Sequence, residues 1–290
     1  MIFERENGEY SKPIVSKEHI SYIEKQYSDG KSQNDIAKEM LVSPKFISKL
    51  MHTNNIDIRN DREQALKYSC NENYFNIIDT EHKAYWLGFM YADGYITKET
   101  QHSSQCIGIS ISKIDIEHLN KFKQDLCSTH KINSYKVNQG YKIGTSYVRI
   151  LINSDTLAND LIKYGCIQKK TDKLLFPNIQ EHLLIHFIRG YIDGDGSITS
   201  STKPNGKINI AIKITGTEEI IDGIKSYFNV EHLRLEKRHK DRNNNNVSLT
   251  IGGNVKVKRI LEELYQEATI YLDRKYEKQK QLLEIYKNQL

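Results

Sequence analysis

Two aspartates occupy the same place in a stretch of sequence that occurs twice. The first copy is Trp86-Leu-Gly-Phe-Met-Tyr-Ala-Asp-Gly-Tyr-Ile-Thr97; the second is Ile188-Arg-Gly-Tyr-Ile-Asp-Gly-Asp-Gly-Ser-Ile-Thr199. Asp93 and Asp195, 102 positions apart, each precede a glycine and then an Ile-Thr pair. Carboxylate oxygens suit Mg²⁺. An ion held this way activates water and stabilises a leaving oxygen in phosphodiester cleavage. A lone Asp-Gly is also an ordinary turn. Two copies with matching glycines and matching downstream sequence need a further reason.

The elements that carry these residues read as helix ends. The first helix should start at Asp79 or Thr80, either of which can cap it, and stop at Gly94. The second should span about 181–195 and stop at Gly196. Ala84, Gly88 and Ala92 recur every four positions on the first, and Gly190 and Gly194 on the second. Residues four apart share a helix face. Two small-residue stripes let helix backbones approach closely, so each stripe finds its partner in the other. Asp93 and Asp195 then meet at the negative ends of two helix dipoles, where like charges repel strongly. A divalent cation removes that repulsion.

The surrounding pattern repeats too. Each copy is followed by an alternating strand, Cys106–Ser112 and Lys207–Ile214, and a helical stretch, about 115–127 and 217–228. Second hairpins pair about 131–138 with 146–153, and Leu233–His239 with Val247–Ile251. The expected class is α+β, with halves at 66–180 and 181–290. Asp193-Gly-Asp-Gly-Ser197 begins like a calcium loop, but Ile198 and Pro204 stand where Gly and Glu are required.

Residues 1–65 form a separate, helical domain. Ser32 and Ser43-Pro44 are helix starts, and a helix at about 18–27 precedes them. Asp29-Gly-Lys-Ser-Gln-Asn-Asp-Ile-Ala and Asn55-Ile-Asp-Ile-Arg59 resemble helix-turn-helix domains of recombinases and phage regulators. In that reading residues 43–53 are the recognition helix, and Lys45, Ser48, Lys49 and His52 face DNA.

Bulk composition limits the classes. The hydrophobic share is 38% and the charged share 27%, as in globular proteins with polar surfaces. No stretch approaches the ~20 apolar residues of a membrane span, and the start lacks a signal-peptide core, so a cytoplasmic protein is expected. The four scattered cysteines include no Cys-x-x-Cys pair. Basic residues outnumber acidic ones 17 to 12 in residues 196–290, against 10 to 11 in residues 1–65. Excess positive charge favours a polyanionic partner.

With these residues in view, Trp86–Gly94 and Ile188–Gly196 resemble the LAGLIDADG motif, present twice, and the closing Leu264–Tyr276 resembles the tail of bacterial and phage members. The resemblance implies a monomeric homing endonuclease. Two pseudo-symmetric αββαββα halves would form a saddle over double-stranded DNA. It makes Asp93 and Asp195 catalytic metal ligands, joined by the Ala92 and Gly194 carbonyls, with Mg²⁺ or Mn²⁺ as cofactor and a bacterial or phage origin. Two departures stand out: Tyr91 replaces the first aspartate of the motif name, and Arg189 replaces a small residue, blurring its packing face.

Alternation assigns Ser110, Ser112, Arg149, Lys207, Asn209, Arg234, Arg238, Ser248 and Thr250 to the faces turned from the core, suited to the major groove. Lys213 is the candidate basic residue near the metal, with Ser110 as its counterpart by strand alignment. Lys169, Lys170 and Lys173 are alternative phosphate contacts. A non-cutting transcription regulator and an intron RNA maturase are the rival functions.

Overall fold

The computed structural model describes residues 13–29, 31–58, 68–98, 104–138, 143–167, 173–237 and 246–289. The chain divides into two compact units, residues 1–67 and 68–290.

Among its described residues the first unit contains three short helices, α1 (Lys17–Ser28), α2 (Gln33–Glu39) and α3 (Pro44–Thr53). Serine side chains cap all three: Ser16, Ser32 and Ser43 accept from the backbone nitrogens of His19, Asp35 and Phe46. Leu41 turns the chain between α2 and α3 with φ of 54°. Ile23, Ile36, Met40, Ile47 and Met51 are fully buried and close the helices on one core. Lys45, Lys49 and His52 lie exposed along α3, with Ser48 half-buried beside them.

The second unit repeats one pattern. Its first half contains α4 (Glu81–Ala92), β1 (Gly94–Thr97), β2 (Cys106–Ser112), α5 (Ile116–Asp125), β3 (Ile132–Lys136), β4 (Ser146–Asn153) and α6 (Asp155–Lys163). Its second contains α7 (Glu181–Asp195), β5 (Gly196–Thr202), β6 (Ile208–Thr217), α8 (Glu218–Tyr227), β7 (Leu235–Lys237), β8 (Asn246–Gly252) and α9 (Asn254–Tyr265), and α10 (Asp273–Lys287) closes the chain. The antiparallel sheets run β1-β2-β4-β3 and β5-β6-β8-β7. Isoleucines 107, 109 and 111, and 210, 212 and 214, lie on their core faces, as alternation demands.

The two motif helices lie at the centre. Every residue of α4 from Ala84 to Tyr91 is buried, which accounts for its apolar character all round. Thr80 caps it and Asp93 ends it. Glycines set the distance between α4 and α7. A Cβ added at Gly88 would fall on the Phe187 carbonyl oxygen, with Tyr191 N 2.9 Å away. One added at Gly190 would fall on the Tyr85 carbonyl oxygen, with Phe89 N 3.0 Å away. These contacts are the same pair of positions exchanged between the copies, so the two helices meet about a local twofold. Gly194 closes against Ala92, and a Cβ there would stand 3.5 Å from the Asp93 nitrogen.

Arg189 does not blur this seam. It is 1% exposed, lies 5.7 Å over the Tyr85 ring of α4, and donates to the Ile270 and Leu264 carbonyls, each at 2.9 Å, and to Glu81 at the start of α4 at 2.5 Å. Glu81 also accepts from Thr269 N at 2.8 Å. The segment after α9 is thereby tied to the start of α4.

A buried polar network runs beside the seam. Asp193 accepts from the hydroxyls of Tyr85 and Tyr265 and from Leu272 N, at 2.8, 2.6 and 2.8 Å. Burial pushes its carboxyl up, while Lys275 and these donors act the other way. Tyr85 also meets His118 Nε2 at 3.0 Å, and His118 Nδ1 is buried with no partner. Burial, then Lys121 and Lys275, bring His118 down to about 3, so it is neutral.

Gly88→Val should cost about 3 kcal/mol or more, because the clash is with backbone. Gly252→Ala, where an added Cβ meets nothing within 4 Å, should be nearly neutral. Urea unfolding of the two variants distinguishes the seam from generic glycine loss. His118 adds a pH dependence. Between pH 6.5 and about 3 the unfolded chain takes up a proton that the folded one refuses. Stability should therefore fall as pH drops through that window, by up to about 1.4 kcal/mol per unit from this group. Subtracting the His118→Gln profile isolates that contribution; parallel profiles would refute it.

Candidate functional site

The closure of Gly194 on Ala92 sets the Asp93 backbone beside the residue that precedes Asp195. Asp93 is half-buried and Asp195 exposed. Their side-chain and neighbouring backbone oxygens are hard donors, a chemistry that matches Mg²⁺ or Mn²⁺ better than a soft metal. Among the described residues no cluster of three acidic, histidine or cysteine side chains exists.

Sequence patterning did not reveal the cation already present. Lys275, 6% exposed, donates to the carbonyls of Ile192, Asp193 and Gly196 at 2.7, 2.6 and 2.5 Å, and to Gly194 at 3.3 Å. It caps the last turn of α7 with charge of the sign that a helix C-terminus favours. Burial brings its pKa down to about 8; Asp193, then Asp93 and Asp195, oppose that shift. Both motif carboxylates therefore lie within electrostatic reach of one ammonium. A carbonyl has two lone pairs, so Lys275 leaves the Gly194 oxygen one for a further partner. The signal for Lys275 was the charged and aromatic run Tyr271–Tyr276, whose partners lie some 80 positions away.

A cleft of about 360 Å³ opens beside Asp93, bordered by Ser110, Ser112, Tyr147, Asp115 and Arg274. Ser110 and Ser112 are half-buried at its edge. Above it the outer face of the first sheet is aromatic. Tyr135 and Tyr147 lie 5.9 Å apart, Arg149 sits 5.4 Å over the Tyr135 ring, and the Ser110 and Tyr135 hydroxyls are 2.6 Å apart.

The second sheet differs. Lys213, Thr250 and Lys207 are exposed and Asn209 half-buried; Arg234 is exposed just before β7. Ser248 is 3% exposed, not open as alternation implied. It lies in register between Thr215 and Glu236 on a central strand, where longer neighbours cover it, and its hydroxyl is 3.3 Å from that of Thr215. Register also corrects the partner of Lys213. Gly94 pairs with Ile109 and Gly196 with Ile214, so the counterpart of Lys213 is Gly108, not Ser110. The Tyr95 ring lies where a Gly108 side chain would go. Arg238, Lys169 and Lys170 lie outside the described residues; Lys173 is exposed.

Residues 183–265 match a family model described as a LAGLIDADG-like domain. An uncharacterized protein of Methanocaldococcus jannaschii, MJ0314, is 29% identical over 165 residues, 55% of this chain; the match spans 57% of that relative's length. Two solved structures share the fold. The LAGLIDADG meganuclease I-AabMI bound to uncleaved DNA aligns with a TM-score of 0.51 at 14% identity, over 71% of this chain and 90% of its own. The LAGLIDADG homing endonuclease I-GzeII in complex with its DNA target aligns with a TM-score of 0.51 at 13% identity, over 70% and 89%. The doubled αββαββα pattern, the glycine-packed helix pair and the sequence match in the second half together identify the chain as a two-half protein of the LAGLIDADG fold.

Proposed function

We propose that the chain is a site-specific endonuclease that hydrolyses phosphodiester bonds in both strands of DNA, acting as a monomer. The observation that carries this reading is the convergence of Asp93 and Asp195 at the closed end of the helix pair. Two carboxylates at two helix C-termini carry charge of the sign that the helix dipoles oppose. Asp93, Asp195 and the Ala92 and Gly194 carbonyls would hold Mg²⁺ or Mn²⁺, and the ion supplies water activation and neutralises a leaving oxygen. Lys275 holds the Gly194–Gly196 backbone in place. Lys213, exposed on β6, would steady the phosphate or polarise the attacking water on its side. Ser110, Ser112, Arg149, Lys207, Asn209, Arg234 and Thr250 would contact bases and backbone in the groove, as the residues of a saddle do. Ser248, being covered, would act through Thr215.

The three-helix unit supports a second contact with DNA, in which Lys45, Ser48, Lys49 and His52 of α3 enter a groove as a recognition helix does. This unit also favours the rival reading, a regulator that binds and does not cut.

Incubation with Mg²⁺ and the uninterrupted sequence flanking the gene should linearise that DNA. Bound but intact DNA would favour the regulator. Asp93→Asn and Asp195→Asn should each abolish cutting and keep binding; a double variant that still cuts would remove the site assignment. Without metal, each substitution should raise the melting temperature slightly, since repulsion is relieved. Mg²⁺ should raise the melting temperature of the wild type and leave the double variant unmoved. Removal of residues 1–67 should weaken binding and spare cutting of saturating enzyme–DNA complex.

A further inference from the structure

The two halves differ at one position that matters for the proposed chemistry. The second sheet offers Lys213, whereas the first has Gly108 there, beneath the Tyr95 ring. A symmetric reaction on two strands would leave the Asp93 side without a cation at the equivalent position of its own sheet, where Arg149 instead lies over the Tyr135 ring.

The chain provides one from elsewhere. After α9 it crosses from the second half onto the first. His82 meets Thr269 at 3.1 Å, and Lys121 donates to the Tyr271 carbonyl at 3.1 Å and to Asp273 at 2.6 Å. The crossing ends at Arg274, which donates through Nε and Nη2 to the two oxygens of Asp115, both at 3.2 Å. The Asp115 side chain is 9% exposed and that of Arg274 52%. A two-point pair of this kind fixes the plane of a guanidinium, while its other edge stays open. Arg274 borders the same cleft as Asp93, and it is the one basic side chain among the described residues that line it. With Arg274 half open to solvent, the pair's attraction is screened and adds modestly to stability.

We propose that Arg274, oriented by Asp115, binds the scissile phosphate of the strand cut on the Asp93 side. It takes the part that Lys213 plays on the Asp195 side. Arginine suits this role because its planar fork matches phosphate oxygens, and a fixed cation stabilises charge that develops on the phosphoryl group. The neighbouring Lys275 is turned to the α7 carbonyls and cannot do both. The crossing segment thus places consecutive cations on two tasks, one on backbone and one on substrate. This inference rests on the cleavage reading above.

The test is strand-resolved cleavage of a supercoiled plasmid carrying the target, with melting curves to confirm folding. Arg274→Ala should slow the cutting of one strand at least tenfold and leave the other near the wild-type rate, so that nicked plasmid accumulates. Arg274→Lys should restore part of the loss. Asp115→Asn should give a smaller defect on the same strand. In EDTA, where nothing is cut, Arg274→Ala should lower the slope of log affinity against log salt by about one. Equal slowing of both strands, or no slowing, overturns the assignment while the endonuclease reading stands. A wild type that binds but leaves both strands intact overturns the endonuclease reading; an unchanged salt slope would then also deny Arg274 its phosphate.

Discussion

Everything central in the larger unit depends on how closely two helices approach. Gly88 and Gly190 let α4 and α7 touch through backbone atoms, and Gly194 continues the contact to Ala92. Such contact permits no adjustment by side-chain rotation, because the colliding atoms are main-chain carbonyls and nitrogens. The helix pair therefore has one spacing. That spacing places the Asp93 backbone beside Gly194, and the two sheets inherit their positions from the strands that leave the helix ends at Gly94 and Gly196.

The close approach has an electrostatic cost, and the chain offsets part of it internally. Lys275 neutralises the carbonyl-rich end of α7, and Asp193 with its tyrosine and backbone donors balances Lys275 from within the core. The first half has Tyr91 in place of Asp193, bonded to the Tyr164 carbonyl. One half thus closes its helix end with a charged network and the other with a neutral phenol. The asymmetry lies beneath a backbone arrangement that is nearly twofold.

The same division appears on the outer faces. Tyr95, Tyr135 and Tyr147 with Arg149 give the first sheet an aromatic surface, while Lys213, Lys207 and Thr250 give the second a polar, basic one. The segment after α9 links the halves across this difference, held by Arg189 at one end and Asp115 at the other. Long charged side chains act here as connectors as much as surface charges, which is how such residues come to be buried at all.

The sequence alone determined whatever depends on residues close together along the chain. The caps at Ser32, Ser43 and Thr80, the glycine stops, the small-residue stripes and the alternating isoleucines are all local signals, and the doubled motif carried the doubled architecture. Tertiary structure decided what depends on distant segments meeting. It turned Arg189 inward, brought Lys275 to carbonyls about 80 residues away, covered Ser248 with neighbouring strands, and set Gly108 opposite the place of Lys213. The physical reason is reach. A period fixes the direction of a Cβ, but a flexible side chain four or five bonds long ends where burial and hydrogen-bonding partners draw it, and those partners are present only in the folded chain.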